Sequence, residues 1–119
     1  MGLSIYSGDD RVWHSSYSYF GDFRRELCDA AGVDIVALCE SASEDEKQGL
    51  WLYQPAEPLA FLVAHSDCDG VILPYNAGRL AERLGDLVNA VDERYDDDLD
   101  RLISFLNHAN ATYTTLEFR

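Results

Sequence analysis

Positive charge is scarce in this sequence: nine Lys and Arg stand against 22 Asp and Glu among 119 residues, and Lys47 is the single lysine. The resulting net charge of −13 repels nucleic acid and anionic membranes, so neither is expected as a direct partner. Cysteine is sparse as well. Cys28, Cys39 and Cys68 are an odd number with no C-x-x-C pair, which argues against a disulfide framework and a zinc ribbon. They read as reduced, mostly buried thiols. No stretch approaches the ~20 apolar residues of a membrane helix, and the first residues lack the basic flank and apolar core of a signal peptide. A cytoplasmic location is the simplest expectation. P-loop, G-x-G-x-x-G, G-x-S-x-G and H-E-x-x-H patterns are all missing. Cys68, the thiol nearest a histidine in sequence, is flanked by Asp67 and Asp69, whose negative charge disfavours the thiolate a nucleophile needs.

What is present fits one domain over residues 1–119, since 47% apolar residues suffice for an ordinary core. Leu3–Tyr6 alternates apolar and polar side chains and ends at Ser7-Gly8-Asp9-Asp10, as a short strand with one buried face does. Arg11–His14 is a weaker strand candidate. Phe20, Phe23, Leu27, Ala30 and Ala31 recur at helical spacing, with Ser16 or Ser18 placed to cap the start and Gly32 the end. Arg24 and Arg25 lie off that stripe and are expected to pair with the surplus acids. Asp34 can cap a short helix through Cys39, and Ser41–Gly49 reads as a polar, mobile loop. Trp51, Leu52 and Tyr53 are expected to return to the core, and Glu57–Ala64 is read as a helix.

Further on, Ala77, Leu80, Ala81, Leu84, Leu87, Val88 and Val91 mark a helix from about Pro74 to Val91. Asp96-Asp97-Asp98 opens a last helix with Leu99, Leu102, Ile103, Leu106 and Ala109 inside. Ala111–Phe118 reads as a terminal strand. The whole predicts an α+β fold of four to five helices, with a small antiparallel sheet that pairs the N- and C-terminal strands.

The densest cluster of functional groups is His65-Ser66-Asp67-Cys68-Asp69-Gly70. Asp67 and Asp69, followed by a glycine, follow half of a calcium-loop pattern; His65 at its first position and Asn76 at its last break the other half. The residues therefore admit two readings: Asx turns that shape a corner, or a divalent-cation site drawing on His65, Asp67 and Asp69. No other cofactor is implied. A small enzyme centred on His65 is a third reading.

The opening Met1-Gly2-Leu3-Ser4-Ile5-Tyr6-Ser7, the Trp13-His14-Ser15-Ser16-Tyr17 segment with Phe23-Arg24-Arg25-Glu26-Leu27, and the His65–Gly70 motif together resemble a family of small uncharacterised bacterial and phage proteins. The resemblance spans most of the chain. It implies a shared fold and a shared corner, and no activity. Where that family continues after the glycine with an acid, Ser-Pro and two more acids, this chain has Val71, Leu73, Pro74, Tyr75 and Asn76.

The acids Asp92, Glu93, Asp96, Asp97, Asp98 and Asp100 carry the other candidate site. They suit a well-capped helix start, and equally a surface that meets a basic protein partner. Two accounts of the net charge stand side by side, solubility in a saline or high-GC host and a docking patch. From size, charge and the missing catalytic set, the leading expectation is a non-enzymatic protein-binding factor of the inhibitor, immunity or anti-defence type.

Overall fold

The computed structural model describes residues 2–119. Alternation at the N-terminus does what a pleated strand requires: β1 (Gly2–Ser7) points Leu3 and Ile5 inward, both fully buried. It turns at Gly8, in the left-handed region at φ 63°, into β2 (Asp10–Ser16), which buries Trp13 opposite Ile5. Ser16 then caps α1 (Tyr17–Ala31) by accepting the Tyr19 amide, and Gly32 at φ 70° closes it, as the spacing predicts. The buried Phe20 and Phe23 of α1 pack on Trp13, with ring centroids 5.4 and 6.1 Å away.

Asp34 caps α2 (Ile35–Glu40) through the amides of Val36 and Ala37. Within the segment expected to be a mobile loop lies a further helical turn, α3 (Glu44–Lys47). It forms because Ser43 and Glu46 make a reciprocal capping box, with Glu46 N donating to Ser43 Oγ and Ser43 N to Glu46 Oε1. The helix expected over Glu57–Ala64 is a single turn, α4 (Ala60–Val63), buried throughout. The two-residue strand β3 (Val71–Ile72) follows the central corner.

Pro74 starts α5 (Pro74–Gly85), which stops six residues short of the expected Val91. Past Gly85 the backbone tightens into turns, with Leu87 N donating to Leu84 O, and still buries Leu87 and Val91. A 3₁₀ turn at Glu93–Tyr95 leads into α6 (Asp96–Thr112). This helix runs further than expected, taking in Thr112, a strand former by type, whose hydroxyl donates to His108 O one turn back. Tyr113 at φ 53° ends it, leaving only β4 (Leu116–Phe118) of the predicted terminal strand.

The four strands form one antiparallel sheet in the order β2-β1-β4-β3. The terminal strands do pair, with Ile5 opposite Phe118, while Leu116 lies opposite Ser7 and Ile72. The fold is thus α+β, with six α-helices in place of the four to five expected. The extra one is α3. The helices α5 and α6 approach closely where Gly78 meets Asn110, whose amide donates to Pro74 O at 3.0 Å; a Cβ on Gly78 would lie 2.7 Å from Asn110 Cγ. No described helix is long and apolar enough to cross a membrane.

Candidate functional site

Two glycines build the central corner. Gly49 at φ 88° and Gly70 at φ 96° bring two chain segments together, where Ser66 N donates to Lys47 O (2.8 Å) and Val71 N to Gln48 O (3.0 Å). On the other side Phe118 N donates to Gly70 O at 3.0 Å, tying the corner to the sheet.

His65 fills the middle, only 4% exposed, with its ring stacked 3.8 Å from that of Phe118. Nδ1 lies 2.8 Å from Ser66 O and Nε2 lies 2.8 Å from Val71 O. Both neighbours are acceptors, and a neutral imidazole has one N–H to offer. Burial draws its pKa below the ordinary histidine value, against the opposing pull of the two carbonyls, so the ring is neutral at pH 7 and donates to one of them. Neither nitrogen faces solvent. His65 acts as a brace across the corner, and the third reading, which needs an accessible base, finds none at this position.

Arg24 of α1 secures the same corner from outside. Nη1 donates to Val63 O and His65 O, both at 3.1 Å, Nη2 donates to Asp67, and the guanidinium sits 4.1 Å above the Phe20 ring. Its partnership with an acid was expected, and so was that of Arg25, which pairs with Asp22. Reaching two carbonyls across the corner was not legible from α1 alone. Asp69 accepts from Gln48 Nε2 at 2.8 Å, and hydrogen bonds from Ser66 and Gln48 hold its carboxyl below the usual range.

The expected cation ligands are therefore engaged elsewhere: Asp67 by Arg24, Asp69 by Gln48, and both His65 nitrogens by carbonyls. Among the described residues no three His, Cys, Asp or Glu side chains converge well enough to hold a metal ion. The physical reason is direction: alternate residues of the corner face α1, the α3 end and the interior, rather than one centre. Of the thiols, Cys28 is buried, which pushes its pKa up to about 11, Cys39 is half-buried, and Cys68 is exposed.

The acidic run surrounds the start of α6. Asp92 caps the 3₁₀ turn by accepting from Arg94 N at 3.0 Å, while its own amide donates to Glu26 Oε2 at 2.6 Å. Asp98 accepts from the Tyr19 hydroxyl, whose pKa is pushed up to about 12 by burial and then by this carboxylate. Asp92, Glu93, Asp96, Asp97 and Asp100 are exposed. None of the six acids belongs to an ion pair among the described residues. Arg94, in the same stretch, is turned aside onto Tyr95, 4.7 Å above its ring.

One segment departs from expectation in the opposite sense. Of Trp51, Leu52 and Tyr53, only Trp51 reaches inward, edge-on to Phe61 at 5.6 Å. Leu52 is 85% and Tyr53 79% exposed. Apolar character drew them inward on paper; the loop instead is fixed to α5 by Gln54, which donates to Asn76 and accepts from Arg79, and its side chains point out. No family model, no curated protein and no solved structure matches this chain.

Proposed function

We propose that this is a small acidic, non-enzymatic protein-binding factor of the bacterial or phage cytosol, of the inhibitor, immunity or anti-defence type. It acts by presenting its negative surface to a basic face of another protein. The observation that carries this reading is the set of six carboxylates from Asp92 to Asp100, five exposed and none ion-paired among the described residues. The positive end of the α6 dipole offsets the repulsion among Asp96, Asp97 and Asp98, so closely spaced charge is held at modest cost. A field of this kind raises encounter rates with a basic partner and lowers them with anionic ones.

The test is the salt dependence of association with a partner recovered from the native host. The association rate should fall steeply as salt rises past physiological strength, and D96N/D97N/D100N should reduce it at low salt while leaving the unfolding midpoint near that of the parent. A rate insensitive to both overturns the reading.

A further inference from the structure

We infer that the groove beside Leu50, Trp51, Leu52 and Leu73 is a docking site for a cationic, amphipathic segment of a partner protein, seated by one bulky apolar side chain. The inference rests on the proposed protein-binding role and places a second, apolar anchor for the partner apart from the Asp92–Asp100 run.

The groove has a volume of about 400 Å³ and is lined by those four residues and Asp45. Leu50 is 53% exposed, and Leu52 and Tyr53 beside it are more so. Apolar side chains displayed together on a soluble surface are costly to keep in water, and a fold of this size rarely gathers them without a use. They are also held in place. Leu50 N donates to Asp45 O at 2.9 Å, and Gln54 with Arg79 ties the far end of the loop to α5. A fixed apolar loop loses little conformational freedom when covered, which is the condition for an efficient anchor. Trp51, which also lines the groove, is positioned edge-on by Phe61, and its Nε1–H is buried with no acceptor among the described residues.

Charge selects the occupant. Asp45 stands in the groove wall with Glu44 and Glu46 on either side of it in α3, and the one cation of that helix, Lys47, is directed to Glu44. A second copy of a chain carrying −13 is repelled from such a surface, whereas lysine or arginine flanking an apolar residue is drawn to it. Apolar core with charged rim is the usual anatomy of a protein interface.

The test uses the intact chain and three synthetic peptides of equal length: an amphipathic Leu/Lys helix, an oligolysine of matched charge, and a Leu/Gln helix without charge. Amide spectra should show the Leu/Lys peptide shifting Leu50, Leu52, Tyr53 and Leu73, with affinity about tenfold above that of oligolysine. L52S/Y53S, two exposed sites whose change should leave the urea midpoint unmoved, should remove that advantage and leave oligolysine binding intact. Equal affinity for the two cationic peptides, or indifference to L52S/Y53S, overturns the groove while sparing the acidic-surface reading. Binding of Leu/Gln as tight as Leu/Lys overturns the cationic choice. Failure of both cationic peptides defeats the groove together with the electrostatic reading. Concentration-dependent dimers in sedimentation, abolished by L52S/Y53S, would assign the groove to a second copy instead.

Discussion

Gly49→Ala is the sharpest perturbation of the central corner, and Gly8→Ala is its built-in control. Both glycines have positive φ, 88° and 63°, where an L side chain costs about 1–2 kcal/mol. Around Gly8 a new methyl group meets nothing within 4 Å. At Gly49 the same methyl would overlap the Val71 carbonyl oxygen outright and lie 2.8 Å from its carbon. Relief requires moving Val71 or the Gln48–Leu50 backbone. Either displacement gives up the bond from Val71 N to Gln48 O, and moving Val71 also disturbs the contact of its carbonyl with His65 Nε2.

One to two hydrogen bonds at about 0.5–1.5 kcal/mol each, added to the conformational cost, give about 1.5–5 kcal/mol for Gly49→Ala. For Gly8→Ala the figure is about 1 kcal/mol. Against a typical total of about 5–15 kcal/mol, the first leaves a marginal fold and the second a sound one. Urea unfolding followed by circular dichroism reads both directly, with similar slopes expected for the two variants. Midpoints that place them within about 0.5 kcal/mol of each other would refute the claim that the close approach of Gly49 to Val71 organises the corner.

Arg24→Leu removes three hydrogen bonds that hold Val63, His65 and Asp67 and should cost about 2–4 kcal/mol in thermal or urea unfolding, whereas Asp67→Asn, at a half-exposed site, should cost under about 1 kcal/mol; equal effects would mean the ion pair, rather than the carbonyl contacts, matters. His65 is neutral in the fold with its pKa lowered by burial, so the unfolded chain takes up the proton first. Its contribution to stability is complete above about pH 6.5, declines as pH falls, and levels off only once His65 is protonated in the folded state. Subtracting the stability curve of His65→Leu from that of the parent over about pH 7 to 5 should leave this falling component, and a flat difference would count against a buried neutral ring.

How legible the fold was depended on whether a segment's local signals agreed with its packing. Alternation in Leu3–Tyr6, the Ser16 and Gly32 caps of α1 and the Asp34 cap of α2 are local devices, and each forms where the sequence places it. Thr112 shows the reverse: its type favours a strand, yet it is the last residue of α6, overridden by the helix that precedes it. The Ser43–Glu46 capping box is spelled out in the sequence but hides inside a polar stretch that reads as a loop. At the corner, the Asx turns expected of Asp67 and Asp69 do not form: both carboxylates accept from side chains, Arg24 and Gln48, and the local bond to a backbone amide is made by Ser66 Oγ, which accepts from Cys68 N. The strut from Arg24 joins positions far apart in the chain and leaves no periodic trace. Leu52 and Tyr53 could not be placed from hydropathy, because the bonds that turn them outward belong to Gln54, Asn76 and Arg79.

The strand order β2-β1-β4-β3 has a consequence for how the molecule is made. A nascent polypeptide translated only as far as Tyr113 has β1, β2 and β3 but no neighbour to join β3 to the other two, because β4 lies between β1 and β3 and follows all three in chain order. Until Leu116–Phe118 emerges, His65 lacks the Phe118 ring against which it stacks and Gly70 O lacks its amide donor. Closure of the sheet therefore joins segments more than a hundred residues apart, and loop-closure entropy makes it the step expected to limit the folding rate.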